Sequence, residues 1–184
     1  MKEETHSRIM LVAGLVFGAA LLRLVPHPPN FAPVAAIALF GGARLGKRWL
    51  AFAIPFAGML LVDSILQLTS PWGGFHVTMG YVYGAIALIV GLGFIVGRFG
   101  STPGSVFGGS LIGSGLFFLV TNFGHWQLMG MYPKTLAGLV QCYVAAIPFF
   151  GNQMAGDLFF NLVLFGTFAW AERKVSAFAT IESN

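Results

Sequence analysis

Apolar runs of membrane-crossing length alternate along this chain with short polar or basic connectors. The first extends from Ile9 to Val25, near the lower end of the ~17–25 residues that a crossing needs. Arg23 and Pro26 close it, and Pro26-His27-Pro28-Pro29-Asn30 follows as a rigid, non-helical connector. Asn30 is placed to cap a short helix from Phe31 to about Leu45, too short to cross comfortably without thinning or help from neighbours. Gly41, Gly42 and Gly46 lead into Arg44, Lys47 and Arg48, the densest basic cluster in the protein. Trp49 to Leu68 forms the next span, with Pro55 inside it and Asp63 toward its far end. The connector Thr69 to His76 has no Lys, Arg, Asp or Glu, and a span from Val77 to Gly97 follows, closed by Arg98. A Gly/Ser/Pro connector then leads to Ser105–Asn122, and a last span is expected from about Gln153 to Ala171, ended by Glu172-Arg173-Lys174.

Between Thr121 and Asp157 the pattern changes. Asn122, His125 and Trp126 precede a Met-Tyr-Pro-Lys turn, and the apolar run Thr135–Phe150 is interrupted by Gly151 and Asn152 just before the last span, which carries Asp157. Polar groups and backbone breaks at membrane depth are tolerated mainly where they line a cavity. Thr135–Phe150 is therefore expected to be re-entrant or interfacial. The expected fold is an all-α integral membrane protein of about six transmembrane helices plus that segment. It forms a single transmembrane domain over residues 1–184, with short cytoplasmic tails at about 1–8 and 172–184.

Composition supports the membrane assignment: 57% of residues are hydrophobic and 9% charged, against about a quarter charged in a soluble domain. The net charge of +4 sits mostly at run ends, a pattern of membrane orientation, so nucleic acid is not an expected partner. No small-residue cleavage pattern follows the first run, and a retained helix is expected. Cys142, the single cysteine, allows no intrachain disulfide and reads as a small buried hydrophobe. There is no G-x-S-x-G, H-E-x-x-H, Walker loop or C-x-x-C. Neither an enzyme nor a cofactor is expected, and without an ATP-binding element the chain does not power primary transport alone.

With the N-terminus and the Arg44–Arg48 loop placed in the cytoplasm, Arg98 falls on the same side, as do Arg173 and Lys174 if Thr135–Phe150 does not cross. Three connectors then face outside, Pro26–Asn30, Thr69–His76 and Phe123–Lys134, carrying His27, His76 and His125, with Trp72 and Trp126 in two of them. Polarity converges on that side and nominates a ligand pocket. Arg23 would come from the end of the first span, His27 and Asn30 from the first connector, and Asp63 from the span Trp49–Leu68. Asn122 would come from the end of its span, His125, Trp126 and Lys134 from the third connector, Asn152 from the break and Asp157 from the last span. Helices starting after Asn30 and Asn152 would offer free N–H groups to an anionic ligand.

Packing accounts for part of this pattern. Arg23 paired with Asp63 or Asp157 is a structural ion pair, and Trp126 and Tyr132 suit an interfacial aromatic belt. His27, His76, His125 and Cys142 are candidate metal ligands, at wholly non-local spacing. Gly14 and Gly18, with Ala19 and Ala20, allow close helix packing or form a docking face for a second protein.

At RLVPHPPNFAPVAAIALFGGA (Arg23–Ala43) and FGHWQLMGMYPKTLAGLVQCYVAAIPFFGNQMAGDLFF (Phe123–Phe160) the chain resembles an uncharacterised bacterial family of membrane proteins assigned to transport. Its size, helix pattern and outward loops resemble the substrate-binding (S) components of energy-coupling factor (ECF) vitamin transporters. That resemblance implies residence in the inner membrane and a small vitamin-like or metal-containing solute bound from outside. It also implies a coupling protein with ATPases that docks on the Gly14/Gly18 face. Some S-component-like proteins act alone, among them a cobalamin transporter that ligates cobalt through cysteine, which brings in cobalamin as a solute with Cys142 and the outer histidines near it. The alternatives are an ion- or proton-coupled carrier using Asp63 and Asp157, and a non-transporting membrane scaffold subunit.

Overall fold

The computed structural model describes residues 2–71 and 73–182, with side chains from His6 to Lys174; Trp72 lies outside the described residues. Among these residues all regular structure is helical. The elements are α1 (Lys2–Leu21), continued by a 3₁₀ turn at Leu22–Leu24, α2 (Val34–Arg44), α3 (Arg48–Thr69), α4 (Met79–Arg98), α5 (Pro103–Leu128) and α6 (Leu136–Glu182). All except α2 contain a stretch long and apolar enough to cross a membrane. Residues 2–8 and 172–182, expected as tails, continue α1 and α6.

α2 is the central element. Its 11 residues rise only ~16 Å, about half of a ~30 Å hydrocarbon core. Every residue from Ala35 to Gly42 is buried, so the helix is apolar on all faces because it meets protein on all faces. Against α4 the two backbones nearly touch. A Cβ on Gly93 would lie 2.8 Å from Gly42 Cα, and one on Gly97 would lie 2.8 Å from the carbonyl oxygen of Ala43. Small residues at four-residue spacing permit that approach, but they are on α4, not at Gly14 and Gly18, where a Cβ would meet nothing within 4 Å.

The segment from Val25 to Pro33 takes α1 into α2 along α6. Asn152 Nδ2 donates to Pro29 O at 3.1 Å, the Phe31 ring lies 5.9 and 5.7 Å from those of Phe159 and Phe160, and a Cβ on Gly156 would lie 3.2 Å from Ala32 N. Non-helical backbone at this position must satisfy its donors. Pro26, Pro28, Pro29 and Pro33 have none, while the N–H groups of Val25, Phe31 and Ala32 donate to Leu22 O, Pro28 O and Asn30 O. Asn30 has φ +62° and precedes this turn, so it does not cap α2; Pro33 occupies the N-cap position.

Two expectations are corrected at the other end of the chain. The third connector is shorter than Phe123–Lys134, because α5 continues through Asn122, His125 and Trp126 to Leu128. Thr135–Phe150 is not re-entrant, and Gly151-Asn152 is not a break: the segment forms the first turns of one long α6. Lipid offers no substitute partner for a freed backbone group, so a helix containing Pro148 and Gly151 stays wound. The polar side chains reach out instead, Asn152 to Pro29 O and Gln153 Nε2 to Ser114 O at 2.8 Å. The early turns pack antiparallel on α5, with Tyr143 donating to Leu119 O at 2.8 Å and the Phe118 and Phe150 rings 4.7 Å apart.

The two chain ends share one end of the bundle. Arg8 pairs with Glu172 at 3.5 Å and lies over Phe168, and Arg44 lies over both Phe165 and Phe168. This is the basic end. The connectors that carry His27 and His76, the last turn of α5 and the start of α6 form the opposite, histidine end.

Candidate functional site

A cavity of about 520 Å³ opens at the histidine end. Seven of the expected residues line it: Arg23, His27, Asn30, Asp63, Asn122, His125 and Asp157. His76 lines it as well, with Thr78, whose hydroxyl is 2.7 Å from His76 Nδ1. Aromatic and sulfur-bearing side chains make up the apolar wall: Phe117 and Phe118 from α5, Phe149 and Phe150 from α6, Met59 and Met79. Flat apolar walls with a few placed polar groups are the usual build of a small-molecule site.

On one side the charges are already matched. Arg23 Nη1 lies 2.8 Å from Asp63 Oδ1, and the Tyr83 hydroxyl donates to Asp63 Oδ2 at 2.8 Å. Asp63 is fully buried while the Arg23 side chain is 17% exposed toward the cavity. The ion pair expected for Arg23 therefore forms with Asp63 and not with Asp157. A carboxylate that accepts from both a guanidinium and a phenol has its charge met within the protein.

Asp157 is held differently. It is 1% exposed and accepts from the Ser114 hydroxyl at 2.7 Å, with Gln153 and the backbone of Ala35 and Ala36 beside it. Ala35 and Ala36 lie in the first turn of α2, where N–H groups have no partner within the helix. Pro33 at the N-cap supplies no side-chain bond, and the Asp157 carboxylate from α6 lies beside that turn. The positive end of the helix dipole favours an anion there. The free N–H groups expected for an anionic ligand thus face Asp157 at the start of α2, and Asn152, inside α6, has none to offer.

Trp126, Lys134, Asn152 and Cys142 do not line the cavity. Trp126 Nε1 donates to Pro133 O at 2.9 Å. The Lys134 ammonium donates to the carbonyls of Trp126 and Gln127 and lies 5.3 Å from the indole centroid. A lysine on the last carbonyls of a helix closes its C-terminus, so these two residues hold the turn between α5 and α6. Cys142 Sγ faces Asn122 O at 3.5 Å. Among the described residues no three of His, Cys, Asp and Glu stand close enough to hold a metal ion, so the candidate set His27, His76, His125 and Cys142 does not assemble.

A family model matches residues 3–178. The chain belongs to DUF6580, a family of unknown function. No curated protein and no solved structure matches it. The match carries no link to S components of ECF transporters.

In this DUF6580 chain the sequence reading missed Ser114, Gln153 and Tyr83. A signal for two of them was present. Gln153, Asp157 and Asn161 recur every four residues on α6, and Ser110 and Ser114 do so on α5, which places each set on one helix face. Tyr83 had no such signal; only the packing of α4 against α3 brings its hydroxyl to Asp63.

Proposed function

We propose that this chain is a multi-pass transport protein that binds a small polar solute in the histidine-end cavity and carries it across the inner membrane. One observation carries the reading: a cavity among apolar helices in which five helices (α2 to α6), the 3₁₀ turn and two connectors bring together Asn122, His125, Asp157 and the Arg23–Asp63 pair against phenylalanine walls. Packing alone requires none of these polar groups at that depth, whereas a polar solute that leaves water needs partners for its own donors and acceptors. The volume falls within the ~300–1,000 Å³ range of small-molecule sites. A vitamin-sized solute with a flat ring and hydrogen-bonding edges suits it. Cobalt ligation through Cys142 is not part of the proposal, since the thiol lies outside the cavity.

Orientation follows from Arg44, Lys47, Arg48, Arg98, Arg173 and Lys174, which place the basic end in the cytoplasm by the positive-inside rule. The cavity then faces outward. A C-terminal reporter is expected to be active only in a form that works in the cytoplasm; activity restricted to the outside would reverse the direction of transport.

Native mass spectrometry of gently purified protein tests the site. A bound small molecule is expected, and Asn122→Ala should lower its occupancy by about tenfold, the effect of one lost buried hydrogen bond. Trp126→Ala, outside the cavity, should leave it unchanged. Protein that retains no solute under any condition, or retains it equally in Asn122→Ala, would defeat the reading. A second reading has the chain serve as an S-component-like subunit. It is favoured by the open face at Gly14 and Gly18, where a coupling protein would dock. Co-purification of an ATPase module, lost on Gly14→Leu, would establish it.

A further inference from the structure

A second cavity of about 490 Å³ lies between α5 and α6 at the basic end, lined by Arg44, Arg173, Ser110 and Asn161 among others. One helical turn separates it from the outer cavity. On α5 the step is Ser114 to Ser110 and on α6 it is Asp157 to Asn161, a rise of ~6 Å in each helix. Polar side chains bridge that turn without interruption. Gln153 Nε2 donates to Ser114 O at 2.8 Å, and the Ser114 hydroxyl faces both Asp157 Oδ2 at 2.7 Å and Ser110 O at 3.0 Å. Asn161 Nδ2 donates to Ser110 Oγ at 3.0 Å.

Interhelical hydrogen bonds in membranes often serve as packing contacts. A packing seam, however, satisfies its own atoms. Here Asn161, 2% exposed, leaves Oδ1 with no partner, and it lines the second cavity. A buried acceptor left without a partner beside an inner cavity marks the point where the seam does not satisfy itself.

Asp157 stands between the two cavities and differs from Asp63 in one respect: neither ion pair found among the described side chains includes it. The charged and titratable groups around it are few. α2 presents only backbone N–H groups, α5 presents Ser114 and, further out, His125, and α6 presents Gln153. Across the cavity stand Arg23 and Asp63 with Tyr83, and the connectors carry His27 and His76.

On the transport reading above, we propose that Asp157 is the coupling-proton site of the carrier and that its contact with Ser114 is the gate between the cavities. A proton from water in the outer cavity forms an O–H bond on one Asp157 oxygen. That bond breaks when the carboxyl opens to the inner cavity, and the proton passes to water there. No electron moves. The neutral carboxyl keeps an oxygen toward the first turn of α2. It no longer holds the Ser114 hydroxyl by charge, and the α5–α6 seam loosens.

Cysteine accessibility tests this without knowledge of the solute. In a Cys142→Ser background, Thr121→Cys reports the outer cavity and Val106→Cys the inner one. Each is labelled with a membrane-impermeant methanethiosulfonate in vesicles of both orientations. Acid buffer is expected to lower labelling of Thr121→Cys from the histidine side and raise that of Val106→Cys from the basic side. The limiting slope is about tenfold per pH unit for one proton. Asp157→Asn should show the acid pattern at every pH. Ser114→Ala, which leaves the carboxyl in place, should raise inner labelling throughout. His27→Gln, His76→Gln and His125→Gln should each keep the parental pH dependence.

The inference is overturned if Asp157→Asn keeps the parental pH dependence, if a histidine variant abolishes it, or if Val106→Cys is never reached from the basic side. Should Asp157→Asn not fold, Ser114→Ala decides: unchanged labelling there refutes the gate. Solute bound in native mass spectrometry with pH-independent labelling refutes the proton site and leaves the transport reading standing. Asp157-dependent labelling in a protein that binds no solute refutes the transport reading alone.

Discussion

Arg23→Leu is expected to lower stability by about 3–5 kcal/mol in a thermal melt in detergent, the cost of leaving one member of a buried ion pair without the other. The geometry makes the two single substitutions unequal. Asp63 is fully buried, and without Arg23 it keeps only the Tyr83 hydroxyl. Arg23 reaches the cavity and, without Asp63, can be hydrated there. Asp63→Leu should therefore cost less than Arg23→Leu. The double variant should recover much of the larger loss, because a well-packed apolar pair replaces a buried ionic one at little cost. Two harmless single variants, or a double variant as unstable as Arg23→Leu, would show that the contact does not act as an ion pair.

The second large effect is expected at Asp157. Asp157→Val removes the acceptor of the Ser114 hydroxyl and the carboxylate beside the first turn of α2 in one step. Each unsatisfied buried group costs ~1–3 kcal/mol, and the first turn of α2 has no other cap. A loss of roughly 3–5 kcal/mol is expected, with hydrogen exchange at Ala35 and Ala36 accelerated ahead of the rest of α2. Asp157→Asn keeps a carbonyl oxygen at the same place and should retain most of the stability. If valine and asparagine behave alike in the melt, Asp157 does not cap α2.

How much of the site was legible depended on whether its residues announced themselves through helix ends. Arg23, Asp63, Asn122 and His125 lie near the histidine-side ends of apolar runs, where a polar residue interrupts the pattern. Their convergence followed from counting which ends share a side. Trp126 and Lys134 carry the same signal and were read the same way. They bond to the backbone of the turn that contains them, and local closure of that kind leaves no separate mark in composition. Gly151 and Asn152 suggested a break for a similar reason. What decides is whether the freed groups would find partners, and the side chains of Asn152 and Gln153 reach theirs on the proline segment and on α5 without unwinding the helix.

The sequence by itself determined that the chain is helical with runs long and apolar enough to cross a membrane, which end of the bundle is basic and which end collects the polar side chains. Those properties follow from run length and from the placement of charge, and both are sums over neighbouring residues. Only the tertiary structure decided that Asp63 belongs to Arg23 and that Asp157 belongs to the first turn of α2. It alone decided that α6 is unbroken and that Ser110, Ser114, Asp157 and Asn161 form one seam. The approach of Asp157 to Ala35 and Ala36 spans more than a hundred residues of chain. Its existence depends on how closely α2 sits against α4 and α6, a distance set by Gly42, Gly93 and Gly156 having no side chains.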